Sequence, residues 1–261
     1  MSNIFKLSVS KTNTYLQCNK KYKFSYILKL PRKEFEYHIF GRFVHKALEN
    51  FHLAIIAGDR RKDADIMFAS FDDALQEFLP KISKDSKNLA IELLKQYLSQ
   101  WEADKVKTSV LEAEKVFNIG ISNTLLLTGM IDRIQLDNDG VYHIVDYKTS
   151  KSAQYLKNDL LQLLTYAFVI YNEHPEIEKV RVSYIMLKLG SQYITKEFSL
   201  DQILSIKQMY EGYANEILSD QNFKANPGIL CKFCEFADLC DEAKSYMSGL
   251  YKTGKMQWGS K

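Results

Sequence analysis

Apolar residues recur every three or four positions through the first hundred residues, and alternation replaces that spacing further on. Tyr15, Cys18, Tyr22 and Tyr26 fall along one side of an expected helix over residues 10–29, which Pro31 ends. On that helix Cys18 is expected on the more apolar, inward face, with Lys20, Lys21 and Lys23 mostly elsewhere. Phe40, Val44, Leu48, Phe51 and Ile55 form the core stripe of a second helix over 39–57, stopped by Gly58. Two further amphipathic helices are expected over 63–79 and 86–106.

From residue 110 the period shortens to two. Strands are expected over 110–119, 124–136 and 141–147, the last two joined by the turn Asp137-Asn138-Asp139-Gly140. A helix over 153–171 stops before Pro175. Two more strands, 179–188 and 193–198, turn at Gly190-Ser191, and Asp201 is the expected cap of a helix reaching residue 218. Helices first, then β-β-β-α-β, make an α/β fold with one central mixed sheet flanked by helices.

The 261 residues contain four prolines and no Gly/Ser-rich linker, so a single domain over 1–261 is expected. Within it, 1–108 is mainly helical, 109–200 holds the β-rich core, and 201–261 holds a helix and a cysteine cluster. A hydrophobic fraction of 46% with 13% aromatics supports a packed core and excludes disorder as the default. The opening MSNIFKLSVSK lacks the apolar stretch of a secretory signal, and no apolar run reaches membrane-spanning length. A reducing, cytoplasmic setting is therefore expected, where clustered cysteines point to metal binding or catalysis rather than disulfides.

The net charge of +3 conceals an asymmetry. Residues 1–33 carry Lys6, Lys11, Lys20, Lys21, Lys23, Lys29, Arg32 and Lys33 without an acid. The stretch after Glu242 adds Lys244, Lys252, Lys255 and Lys261, again without one. The rest of the chain is left acidic. Basic ends on an acidic body suit contact with a polyanion such as DNA, although lysines on a solvated helix face produce the same pattern.

Asp146 and Lys148 stand two apart on one expected strand, so their side chains leave the same face, while Tyr147 points into the core. Asp132 lies on the neighbouring strand, where the tight turn lets the two carboxylates converge. Paired acids of this kind bind Mg²⁺ or Mn²⁺, and a nearby ammonium can orient a water or steady developing charge. A lone D-x-K is common by chance, so its surroundings matter.

Those surroundings are Leu127-Thr128-Gly129-Met130-Ile131-Asp132-Arg133-Ile134, then Ile144-Val145-Asp146-Tyr147-Lys148-Thr149, then Gln162-Leu163-Leu164-Thr165-Tyr166. Together they resemble the PD-(D/E)XK nuclease superfamily, in its RecB-like exonuclease branch. The resemblance implies a restriction-endonuclease-like α-β-β-β-α-β core and metal-dependent cleavage of DNA, at ends or single strands. It implies catalytic roles for Asp132, Asp146 and Lys148, with Gln162 and Tyr166 supporting the site. Gly41-Arg42-Phe43-Val44-His45 is similar to the branch's G-x-x-x-H helix, which implies that His45, Asp132 and Asp146 hold the metal. His52 and Glu49 fall on the same helical side as supporting residues at best. The branch also has a Glu on its first core strand. Glu114 fits best here, with Glu112 the alternative.

Cys18 together with the C-x2-C-x5-C of Cys231, Cys234 and Cys240 resembles the iron–sulfur subgroup of that branch. The subgroup includes the AddB nuclease domain and the CRISPR-associated RecB-like exonucleases, and the resemblance implies a 4Fe-4S cluster on these four residues. The spacing alone accommodates zinc equally well. Asn19 stands where the subgroup usually has proline, which changes the local turn but not the ligand. The resemblance leaves three roles open: a general exonuclease, a CRISPR spacer-processing nuclease with an adaptation partner, and a non-cutting DNA-end-binding subunit of a helicase. No G-x-x-x-x-G-K-[ST] loop is present, so the chain holds no nucleotide-driven motor of that type.

Overall fold

The structure, a computed structural model, describes residues 4–151 and 160–252. In chain order the main elements are β1 Phe5–Leu7, α1 Val9–Gln17, α2 Asn19–Tyr22, α3 Glu36–Ile56, α4 Asp63–Phe78 and α5 Lys84–Asp104. There follow β2 Thr108–Ser122, β3 Leu125–Asp137, β4 Tyr142–Lys148, α6 Leu160–Glu173, β5 Lys179–Met186 and β6 Gln192–Ser199. The chain continues through α7 Leu200–Leu204, α8 Ile206–Ser219 and α9 Asp241–Lys252. The described residues form two compact units. Among them, residues 4–6, 36–151 and 160–211 make up one, and residues 7–35 and 212–252 the other.

The first unit is built on a six-stranded sheet in the order β1-β3-β4-β5-β6, with β2 also paired to β3. The β2–β3, β3–β4 and β5–β6 pairs are antiparallel, and β4–β5 is parallel. The parallel pair needs a crossover, and α6 lies within that connection. One face of the sheet is covered by α3, α4 and α5. Phe43, Val44, Leu48 and Phe51 of α3 are fully buried there, in one core with Leu94 and Tyr97 of α5 and with Val145, Tyr147, Ile185 and Leu187. Helix α6 is buried on nearly all sides, as its unbroken apolar run from Leu163 to Ile170 (Thr165 apart) requires. Thr165 is accommodated because its hydroxyl donates to the Leu161 carbonyl at 2.6 Å and meets Tyr210 OH at 2.9 Å.

Gly129 on β3 lies opposite Phe117 on β2. A Cβ on Gly129 would fall 2.4 Å from Phe117 Cζ, so only glycine leaves the ring its place. That ring packs edge-on to Tyr166, with centroids 6.4 Å apart.

Two local expectations are corrected. The helix expected over 10–29 breaks at Cys18, whose extended backbone (φ −164°, ψ 111°) ends α1 and starts α2, and a π-helical turn follows over Lys23–Ile27. Cys18 is consequently half-buried at a junction rather than inward on a helix face. The cap after β6 is Ser199, not Asp201. Gln202 Oε1 accepts from the Ser199 N–H at 3.0 Å and from the Ser199 hydroxyl at 3.3 Å, and the helix is interrupted at Ser205. Of the helix expected over 153–171, residues 153–159 lie outside the described residues, and the remainder runs to Glu173.

The second unit joins chain segments from far apart in sequence. Tyr15 OH donates to Asp220 Oδ2 at 3.0 Å, Asn19 Nδ2 donates to the same oxygen at 2.7 Å, and Tyr22 stacks on Phe223. Three lysines of the basic N-terminal segment are neutralised inside this unit. Lys20 pairs with Glu242 at 2.6 Å, Lys21 with Glu235 at 2.8 Å, and Lys33 with Asp238 at 3.5 Å. The charge asymmetry in the sequence is thus partly cancelled by folding.

Candidate active site

The β3–β4 ladder runs to the Arg133↔Val145 pair. One step beyond lie Asp132 and Asp146, on the face opposite Arg133 and Val145. Past the end of that ladder the Tyr147 N–H donates to Asp132 Oδ2 at 2.8 Å, which fixes the carboxylate. The same oxygen lies 3.3 Å from Nδ1 of His45 on α3. Burial disfavours charge on the His45 ring, but the neighbouring Asp132 carboxylate outweighs it and pushes the pKa up to about 9. Burial likewise opposes ionisation of Asp132, yet His45 and the Tyr147 N–H hold it below the usual carboxylate range.

Asp146 is 3% exposed. Its Oδ2 pairs with Lys148 Nζ at 2.7 Å, and its Oδ1 accepts from Gln162 Nε2 at 2.8 Å and from Tyr166 OH at 3.3 Å. Gln162 Oε1 in turn accepts from Lys148 Nζ at 2.9 Å and from Tyr184 OH at 3.1 Å. Burial, with Asp132 close by, keeps the Asp146 pKa raised despite the Lys148 charge. The two acids are therefore pushed in opposite directions, a pattern typical of sites with work to do.

A third acid completes the cluster. Ligand atoms of His45, Glu114 and Asp132 all lie within 4.8 Å of one another. Glu114 sits at a non-glycine positive φ of 49°, a strained backbone that breaks the β2 alternation. Burial first, and then the Asp132 charge, push its carboxyl up to about 7. Glu112, the alternative from sequence, is exposed and paired with Lys115 at 2.6 Å. Strand periodicity could not separate the two, because it puts residues two apart on one face.

Behind the acids, Tyr147 turns into the core as the alternation requires. Its OH meets Tyr97 OH at 3.0 Å, and Tyr97 OH accepts from Arg133 Nη1 at 2.6 Å. His52 Nε2 joins the same group, 2.6 Å from Tyr97 OH. Arg133 is buried with ring faces of Trp101 and Tyr147 around its guanidinium. These residues hold the middle of Asp146-Tyr147-Lys148 in place, and Glu49 is tied to Lys46 at 2.9 Å.

A cavity of about 450 Å³ lies on the other face of β4, lined by Gln135, His143 and Arg181 among others. His143 bridges Asp137 Oδ2 at 2.9 Å and Ser183 Oγ at 2.7 Å. The order resembles a hydrolase triad, but Ser183 is 0% exposed and presents no nucleophile. The size of this cavity says nothing about the acids.

In the second unit Cys18, Cys231, Cys234 and Cys240 line one cavity together with Lys20 and Lys21. Two of the sulfurs accept a backbone N–H, Cys18 from Asn226 and Cys231 from Gly228, both at 3.4 Å, and Cys240 Sγ lies 3.4 Å from Glu242 Oε2, to which it donates. Burial raises the thiol pKa of Cys234 and Cys240, with Lys21 and Lys20 respectively opposing it. The Asn226 and Gly228 donors lie in a loop whose conformation residue spacing does not reveal.

Among the described residues no helix is long and apolar enough to cross a membrane. One subunit of the ATP-dependent helicase/deoxyribonuclease from three Streptococcus agalactiae strains is 26% identical to this chain over 247 residues, covering 85% of it. The chain spans only 22% of the length of those relatives. A solved structure from Eubacterium rectale, provisionally named an exonuclease, covers 82% of the chain and 80% of its own length, at 13% identity and a TM-score of 0.51, which shows a shared fold. The sequence pattern of one family runs from residue 6 to residue 241, taking in the His45 helix, the acid strands and all four cysteines, and through it this chain belongs to the PD-(D/E)XK nuclease superfamily.

Proposed function

We propose that this chain is a metal-dependent DNA exonuclease acting on ends or single strands, with a structural 4Fe-4S cluster in its second unit. The observation that carries the reading is the convergence of His45, Glu114 and Asp132 beside the Asp146–Lys148 pair.

The donor set suits a hard divalent cation, because carboxylate oxygens dominate it. Burial, and after it the Asp132 charge, keep the Glu114 carboxyl raised, and a cation held among these acids would favour its ionised form. His45, Asp132 and Asp146, with Glu114, would hold Mg²⁺ or Mn²⁺. A divalent ion bound there polarises a phosphoryl oxygen and lowers the pKa of a coordinated water. Lys148, held by Asp146 and Gln162, is placed to orient the attacking water or steady the developing charge. Gln162 and Tyr166 keep Asp146 in one orientation, and the Tyr147 N–H does the same for Asp132.

The cysteine site suits a cluster of net negative charge. The N–H···S contacts at Cys18 and Cys231 and two neighbouring lysines would stabilise thiolates that burial otherwise disfavours. Cys18, Cys231, Cys234 and Cys240 would hold the 4Fe-4S cluster, which supplies a cross-link between distant chain segments. The name carried by the S. agalactiae relatives supports association with a helicase partner.

The deciding experiment is cleavage of end-labelled DNA in Mn²⁺ by the anaerobically purified chain and its Asp146→Ala variant. Cleavage lost in the variant, with the fold and visible spectrum retained, supports the proposal. Equal rates for the two proteins would reject the site.

A further inference from the structure

Strands β2 and β3 stay paired beyond the end of the β3–β4 ladder at Arg133, as far as Ser122 and Leu125. On this stretch Met130 stands two residues before Asp132. Strand alternation puts it on the Asp132 side of β3, about 7 Å along the chain. Val116 of β2 is its direct cross-strand partner and shares that side. Phe117 and Ile131 turn the other way and are buried, whereas Met130 is 49% exposed and Val116 67%. A single exposed apolar side chain is common. Two in register, this close to a candidate metal ligand, continue the surface of the site.

This surface offers a nucleic-acid strand apolar contact rather than a grip on phosphate. Lys115, the neighbour of Val116, is tied to Glu112 at 2.6 Å and to Glu173 at 3.1 Å. The next pair along the same side, Asn118 and Thr128, is uncharged. The apolar parts of a nucleotide are its base face and its sugar. A span of about 7 Å matches roughly two rises of a stacked strand, at about 3.4 Å each. A strand that runs along β3 with a phosphodiester at Asp132 therefore brings an adjoining nucleotide over Met130.

We propose that Val116 and Met130 form an apolar seat for the base and sugar of a nucleotide next to the scissile phosphate. The inference rests on the nuclease reading and adds to it the residues that steady the strand on its apolar side. Methionine is among the side chains that proteins place against unstacked bases, and its flexible thioether adapts to any of the four. The seat is thus independent of sequence. It displaces no counterions, so it adds nothing to the salt dependence of binding.

The test uses Val116→Ser, Met130→Gln, the double variant and Met130→Leu in the full chain, with a thermal melt to check each fold. With a labelled single-stranded oligodeoxynucleotide and Mn²⁺, the double variant should raise KM about five- to tenfold with kcat within about twofold, and Met130→Leu should stay close to wild type. In an Asp146→Ala background the double variant should weaken binding by a similar factor with the salt slope unchanged. A matching series of oligonucleotides carries one abasic residue, stepped in from each end. At one position the missing base should weaken binding to the Val116–Met130 parent severalfold and leave the double variant indifferent. Unchanged KM and binding in the double variant would overturn the seat and leave the pair as a surface for a protein partner. So would a parent indifferent to every abasic position, a fall in kcat at constant KM, or a shallower salt slope. Should the wild-type chain fail to cut under any metal condition, the nuclease reading fails, and the abasic binding series still decides the seat.

Discussion

Gln162 Oε1 accepts the Lys148 ammonium at 2.9 Å, while the other end of the same amide donates to Asp146 at 2.8 Å. One side chain on α6 thus sets the spacing of the acid and the lysine on β4. Replacing it with leucine leaves both members of a buried ion pair under-coordinated. Gln162→Leu should lower kcat about 10- to 100-fold with KM for DNA little changed. Steady-state kinetics on end-labelled DNA would show this, and an unchanged kcat would remove Gln162 from the site.

Cation binding should release protons. His45 holds its proton up to about pH 9 and Glu114 up to about pH 7, so at neutral pH an incoming cation displaces protons from both. Mn²⁺ affinity should therefore rise with pH between 6 and 9. Calorimetry in buffers of different ionisation enthalpy measures the released protons directly. Glu114→Gln should remove the part of the pH dependence near 7 and leave the part near 9. A pH-independent affinity would contradict the grouping of these donors.

Strand alternation alone places Asp146 and Lys148 on one face, whereas His45 stood out only because Gly41-Arg42-Phe43-Val44-His45 resembles the G-x-x-x-H helix. What escaped depends on contacts with distant residues or on unusual backbone. The choice between Glu114 and Glu112 was open until the structure grouped Glu114 with His45 and Asp132. Cys18 leaves its helix where the Asn226 N–H meets its sulfur. The pairing of Lys20, Lys21 and Lys33 with acids more than two hundred positions away is invisible to any window along the chain.

His52 makes acid stability testable. Burial and the Arg133 charge hold its pKa well below the ordinary value, so the folded chain keeps the ring neutral. The unfolded chain takes up a proton below about pH 6.5, and folding then loses free energy as pH falls. The loss from this group should be about 1 kcal/mol between pH 7 and 5.5. His52→Gln should show a flatter dependence over that range in urea denaturation, whatever its baseline stability. Parallel profiles would mean the ring is protonated in the fold.

Gly129→Ala forces the Phe117 ring to move, because the new methyl would stand 2.4 Å from Cζ. A destabilisation of about 1–3 kcal/mol is expected, as for other overpacked cores. Phe117→Leu should recover part of it, so the double-mutant cycle should give a favourable coupling. Additive effects would show that the ring is not what occupies the space.

Cys18→Ser should bleach the visible absorbance of the anaerobic protein and lower its melting temperature, while Mn²⁺ affinity at the acids stays unchanged. Full colour with full stability would refute a four-cysteine cluster.

The unit that contains the cysteines draws its first segment from residues 7–35 and its second from 212 onward. During translation the early segment leaves the ribosome some two hundred residues before its partner exists. Neither Tyr15 nor Tyr22 can be covered until Asp220 and Phe223 emerge, and three of the four sulfurs arrive later still. Maturation of this unit therefore waits until residues 212 onward have been made. A chain truncated before Asp220 inherits exposed Tyr15 and Tyr22, a ready mark for quality control.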